Sequence, residues 1–147
     1  MQGWLFLVIA AIAGIFMAIQ GSMNGALGKI VGMLEGNLIV HSIAIAIVAV
    51  MLFVFGLGKG DFSKMAQTPW YLYLGGLLNV GIIYGVMIAI AKTSAGAATT
   101  AIITGQLAMA LIIDWIGLFG LEKISMTWGR GAGLVLMAIA AKLLLNK

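Results

Sequence analysis

The chain is 147 residues long, 63% hydrophobic and 8% charged, with a mean hydropathy of +1.19 and a formal net charge of +4. A soluble domain carries roughly a quarter of its residues as charge, so this chain has too little polar surface to stay dissolved and belongs in a bilayer. With no cysteine there is neither a disulfide framework nor thiolate chemistry, and eight scattered basic residues form no stripe of the kind nucleic-acid binding needs.

Apolar segments run Trp4–Ile19, Leu38–Leu57, Trp70–Ala91, Ala97–Leu121 and Gly131–Leu145. The runs are continuous rather than alternating, which favours helices over a barrel, because backbone groups in lipid must be satisfied within their own segment. The expected fold is therefore an all-α membrane protein. Residues 1–147 form a single transmembrane domain with five spans, at about 4–24, 38–57, 70–91, 97–121 and 129–145 once flanking residues complete the crossing. The opening "MQGW" has no Lys or Arg, so the first run reads as a true span rather than a cleaved leader. Trp4, Trp70, Tyr71, Tyr73 and Trp128 fall near span ends, where amphipathic rings favour the headgroup region.

After the first run, Gly21, Gly25, Gly28, Gly32 and Gly36 recur every three or four residues. On a helix they would share one face and permit close backbone approach, as in small-xxx-small contacts; equally, glycine breaks helices and this stretch joins two spans. Gln20 and Asn24 lie one turn apart in the same stretch, so both amides face one way. His41 and Ser42 come early in the second span. The next connection, "GLGKGDFSKMAQTPW", holds the only proline, and Thr68 before Pro69 reads as a helix N-cap with proline in the first turn. The third span carries Asn79 and Tyr84, with Gly81 and Gly85 as a second small-residue pair. The fourth carries Thr100, Thr104, Gln106 and Asp114, and Thr127 before "WGRG" is placed to cap the fifth.

Each polar group is expensive in hydrocarbon unless it faces protein or water. Taken singly, amides and hydroxyls tie helices together; taken together, polar residues in three spans suggest a shared wet cavity. Gln20, Asn24, Asn79, Tyr84, Thr104 and Gln106 are the candidate substrate-binding residues. Asp114 lies six residues before Gly120, about 9 Å along a helix, and Arg130 begins the next span across a short connection. That spacing permits a salt bridge locking the hairpin, a proton- or cation-binding carboxylate, or both. His41 is the other candidate for carrying a proton or ion.

Orientation normally follows the excess of Lys and Arg on cytoplasmic loops. With five spans, Lys59, Lys64, Lys123 and Arg130 fall on one side, and Lys29, Lys92, Lys142 and Lys147 on the other. The tie predicts insertion both ways up. Two oppositely inserted copies would be related by a two-fold axis in the membrane plane, the symmetry of inverted-repeat transporters. No repeat is visible inside the chain, so it corresponds to one such unit and needs a partner.

The stretches "IQGSMNGALGK", "WYLYLGGLLNVGIIY", "GQLAMALIIDWIGLFG" and "WGRGAGLVLMAIA" resemble a short, five-helix bacterial branch of the drug/metabolite transporter superfamily. The resemblance covers nearly the whole chain. It implies a multi-pass protein of the bacterial inner (plasma) membrane, each chain similar to one half of a ten-helix transporter bundle and completed by an antiparallel, inverted second copy or a sister chain. Its polar landmarks fall on Gln20, Asn24, Gln106, Asp114 and Arg130. One departure concerns coupling: the four-helix multidrug exporters of the superfamily carry a glutamate in the middle of their first helix, and here the first span holds no acid, so coupling would fall to Asp114 or His41.

The expected function is secondary transport of a small organic solute by alternating access, in contact with membrane lipid and without nucleic acid. The competing expectation is a non-transporting assembly or regulatory subunit. An enzyme is not expected: one histidine makes no multi-histidine metal site, there is no HExxH or Walker loop, and "GLGKG" lacks the strand-to-helix context of a nucleotide fingerprint. No cofactor and no metal is expected.

Overall fold

A computed structural model describes residues 3–145. Met1 and Gln2, which entered the reading of the N-terminus, and Lys147, which entered the charge tally, lie outside the described residues. Five helices long and apolar enough to cross a membrane follow one another: α1 (Gly3–Val31), α2 (Met33–Ala49, prolonged by a π-helical turn over Val50–Val54), α3 (Leu74–Lys92), α4 (Ala95–Ile116) and α5 (Trp128–Leu145). They group by packing into residues 1–92 and 93–147.

In residues 1–92, α1 packs on both α2 and α3. Gly21, Gly25 and Gly28 are buried on α1 and face α3, where a Cβ would meet Val86, Ile90 and Met87. The thioether of Met87, at 0% exposure, fills the notch that Gly28 makes with Gly36 of α2. The glycines up to Gly28 thus sit inside a continuous helix as a contact face. The break falls on Gly32 alone, at φ +103°, a conformation that favours glycine and turns the chain directly from α1 into α2. Gly81 and Gly85 differ, since beyond the backbone of their own helix nothing in the chain lies within 4 Å of where their Cβ atoms would be.

The expected cap at Thr68 is not formed. Thr68 ends a 3₁₀ segment over Phe62–Gln67 and its hydroxyl donates back to the Lys64 carbonyl at 3.1 Å. A 3₁₀ turn over Trp70–Tyr73 then leads into α3, with the Leu72 N–H donating to the Pro69 carbonyl at 3.1 Å. At the start of the connection, the Asp61 carboxylate accepts the Ser63 N–H at 2.9 Å; bonds from Ser63 hold its pKa below the ordinary aspartate value.

Residues 93–147 form a hairpin of α4 and α5. Ser94 caps α4, its hydroxyl oxygen accepting the Ala97 N–H at 3.1 Å. The helix stops at Ile116, because Gly117 adopts a left-handed φ of +73° and its N–H closes on the Ile113 carbonyl at 2.8 Å. It therefore ends five residues before Leu121. Thr127 caps α5 through a 3.3 Å bond that its hydroxyl oxygen accepts from the Arg130 N–H.

Among the described residues the buried hydrophobic side chains are Met87, Ala98 and Ala141, while bulky apolar side chains from Trp4 to Leu145 stand exposed along all five helices. In water this surface would drive aggregation; lipid tails or another protein must cover it.

Candidate functional site

Three polar side chains of α2 and α3, Asn37, His41 and Asn79, converge at one place. Asn37 and His41 lie one turn apart on α2, and Asn79 and Val80 face them from α3. Asn37 Nδ2 donates to the Val80 carbonyl at 2.9 Å, tying the two helices together through a backbone acceptor. His41 Nδ1 lies 2.9 Å from the Asn37 carbonyl, which can only accept, so this nitrogen carries the proton. Nε2 is then free to accept from Asn79 Nδ2, 3.1 Å away. Val80, Asn37, His41 and Asn79 thus form one hydrogen-bonded chain across the helix pair.

One atom is left out of it. Asn37 is 2% exposed, and its Oδ1 is buried without a hydrogen-bond partner. Its orientation is fixed, because the amide must turn its N–H₂ toward the Val80 carbonyl.

Two grooves meet at this chain. A groove of about 480 Å³ is walled by Leu34, Glu35, Asn37, Leu38, His41 and Val80. A second, of about 460 Å³, runs from His41 and Asn79 past Ala44, Val48, Leu52 and Phe53 toward Phe62. His41 belongs to both, and each groove is otherwise almost wholly apolar, the carboxylate of Glu35 excepted.

The hairpin of α4 and α5 holds a different feature. Arg130 Nη1 lies 3.6 Å from Asp114 Oδ2, with both side chains about a third exposed. Asp114 sits in the last turn of α4, and its backbone carbonyl accepts the Ile124 N–H at 2.8 Å from the returning connection. Arg130 also borders an apolar groove of about 570 Å³ with Leu107, Leu111, Leu134 and Met137.

Of the residues singled out from the sequence, the structure joins His41 to Asn79 and Asp114 to Arg130. Asn24 is buried at 7% exposure, whereas Gln20, Tyr84 and Gln106 are exposed. The hydroxyls turn inward on their own helices: Thr104 bonds the Thr100 carbonyl, Thr100 that of Gly96, and Ser42 that of Leu38, each at 2.8–2.9 Å. Gln20, Asn24, Asn79 and Tyr84 belong to residues 1–92, and Thr104 and Gln106 to the hairpin. Sequence reading passed over Asn37 and Glu35. The available signal is "NLIVH", an amide four residues ahead of the histidine, which a span beginning at Leu38 leaves outside the helix.

Five apolar helices carrying polar side chains along grooves define a multi-pass α-helical membrane protein. Residues 5–143 match the family described as "Putative inner membrane exporter, YdcZ", of the drug/metabolite transporter type, and the chain belongs to that family. It is accordingly a multi-pass inner-membrane protein, in a family of exporters rather than enzymes. No curated protein and no solved structure matches the chain.

Proposed function

We propose that the protein is a secondary transporter of a small organic solute, working by alternating access as a pair of oppositely inserted copies. The observation that carries this reading is the Asn37–His41–Asn79 chain, placed where two apolar grooves meet. Polar and ionisable groups held within a span are costly, and they ordinarily mark a solute or ion path. Membership of an exporter family supports the same conclusion. The inverted pair is supported by the even split of Lys and Arg between the two sides and by a chain containing one transporter-like unit. His41 and Asp114 are the groups available to carry a coupling proton.

The test is counterflow of labelled organic cations, anions and neutral solutes in proteoliposomes. Flux of at least one class above protein-free liposomes is expected, and a broad panel without flux or proton movement would remove the transport reading. Orientation is tested separately with Lys59→Cys, in an exposed connection of a chain that has no native cysteine. An impermeant maleimide should label this position from both faces of the membrane; labelling from one face alone would eliminate the inverted pair.

A second reading, a non-transporting subunit, draws on the Asp114–Arg130 contact, which can serve only to hold the hairpin. In that case neutralising Asp114 would disturb assembly, with no flux to lose.

A further inference from the structure

We infer that the groove between α2 and α3 binds the amine head of an amphipathic organic molecule, with Asn37 Oδ1 accepting an N–H and Glu35 supplying the opposing charge. The inference rests on the transport reading for its purpose, but not for its chemistry.

The donor and acceptor inventory of the groove is lopsided. Asn37 Nδ2 is used by Val80, His41 Nδ1 by the Asn37 carbonyl, and His41 Nε2 by Asn79. Among the described residues the buried side-chain atom left without any partner is an acceptor, Asn37 Oδ1, and the charge on the groove wall is a carboxylate, Glu35. A buried acceptor without a partner is unfavourable, and the deficit is removed by a donor, most strongly by a charged one. An ionised carboxylate offers no donor, and any anion would be repelled by Glu35. The rest of the wall, Leu34, Leu38 and Val80, offers contact to an apolar body. A volume of about 480 Å³ lies within the range of small-molecule sites.

Glu35 also has a local role. It stands in the first turn of α2, its carboxylate folded back over Gly32, where a negative charge favours the helix N-terminus. In that position the acid is part of the groove wall. Oδ1 is buried, so a ligand donor reaches it only when the surrounding side chains yield.

The same ammonium chemistry could be presented by a free amine or by the phosphatidylethanolamine headgroup. The probe is 4-fluorophenethylamine, titrated by ¹⁹F NMR against the purified full-length protein in maltoside micelles. Its comparators are 2-(4-fluorophenyl)ethanol and 3-(4-fluorophenyl)propanoate. The amine should bind about tenfold or more tightly than the carboxylate, with the alcohol between them. Glu35→Gln should weaken the amine roughly two- to fivefold and leave the alcohol unchanged, since a partly exposed charge acts weakly. Asn37→Leu should abolish binding of both. Should that variant fail to fold, the charge preference and its loss in Glu35→Gln still decide. Added phosphatidylethanolamine that competes with the probe identifies the lipid as the occupant; no competition identifies a free amine.

Equal binding of carboxylate and amine, or an unaltered preference in Glu35→Gln, would overturn the proposal. Amine binding without flux in liposomes would leave the site standing and remove transport. Flux of an anion without amine binding would do the reverse.

Discussion

The glycine face of α1 yields a prediction in which two neighbouring substitutions behave differently for a structural reason. A Cβ at Gly25 would lie 3.0 Å from Ile90 Cγ2 and 3.2 Å from Ile90 Cβ. Ile90 is branched at that very carbon, so it cannot swing aside without moving the α3 backbone. A Cβ at Gly28 would lie 2.7 Å from the Met87 methyl and 2.6 Å from Met33 Sδ, both near the ends of flexible thioether chains. Overpacking costs about 1–3 kcal/mol, and alanine recovers up to about 1 kcal/mol of helix propensity over glycine. Gly25→Ala should therefore destabilise by roughly 1–2 kcal/mol and Gly28→Ala by less than about 1 kcal/mol. Met87→Ala empties the notch; with lipid in place of water as the reference, its cost should fall at the low end of the range for core truncation, about 2 kcal/mol. Combining Gly28→Ala with Met87→Ala lets the new methyl occupy vacated space, giving a favourable coupling of about 1 kcal/mol, whereas Gly25→Ala and Met87→Ala should add within about 0.5 kcal/mol. Unfolding in mixed dodecyl sulfate micelles, followed by circular dichroism, measures each corner of the cycle. A harmless Gly25→Ala, or independent addition of Gly28→Ala and Met87→Ala, would refute this account of the α1–α3 contact.

The existence of five helices was legible because each is a continuous apolar run, and lipid leaves the backbone no other open-ended solution. The ends were less so, for opposite reasons at the two places that matter. At Gly21–Gly28 the spacing allows either a contact face or a break, and the helix continues to Val31, because Met87 and Ile90 pack against the bare backbone and so favour glycine there. At Gly117–Leu121 the apolar Leu118 and Phe119 suggest continuation, yet the left-handed conformation at Gly117 ends the helix. The Asp114–Arg130 contact could be anticipated since a hairpin brings neighbouring helix ends together. The Asn37–His41–Asn79 chain could not be anticipated as a unit. His41 and Asn79 are 38 positions apart, and a hydropathy profile carries no information on which faces of α2 and α3 meet.

At Asp61 the lowered pKa means that the carboxylate's hold on Ser63 is present above the unfolded aspartate value and lost as pH falls through the lower folded value. Protection of the Ser63 amide, taken relative to its intrinsic exchange rate at each pH, should fall only on that acidic side, and Asp61→Ala should remove this pH dependence of the protection. Alanine at Gly81 and Gly85, where a Cβ meets nothing within 4 Å beyond the backbone of its own helix, should raise the unfolding midpoint through helix propensity, worth up to about 1 kcal/mol at each. If these glycines meet a second copy, the same variants will lower the dimer fraction in crosslinking. The Asp114–Arg130 pair gives the sharpest separation of structure from function. The acid stands in the last turn of α4 and the base in the first turn of α5, each at the helix end whose dipole opposes its charge. Exchanging them, Asp114→Arg with Arg130→Asp, keeps the pair and puts both charges at favourable ends, for a gain of about 0.3–1 kcal/mol at each. Asp114→Asn alone should cost less than about 1 kcal/mol, because the contact is partly exposed and 3.6 Å long. If the pair served the hairpin alone, the exchanged protein would be more stable and transport as before. The expected outcome is an exchanged protein at least as stable as the original and inactive in proteoliposomes. An arrangement electrostatically inferior to its own mirror requires the acid where it is, and full activity in the exchanged protein would show that it does not.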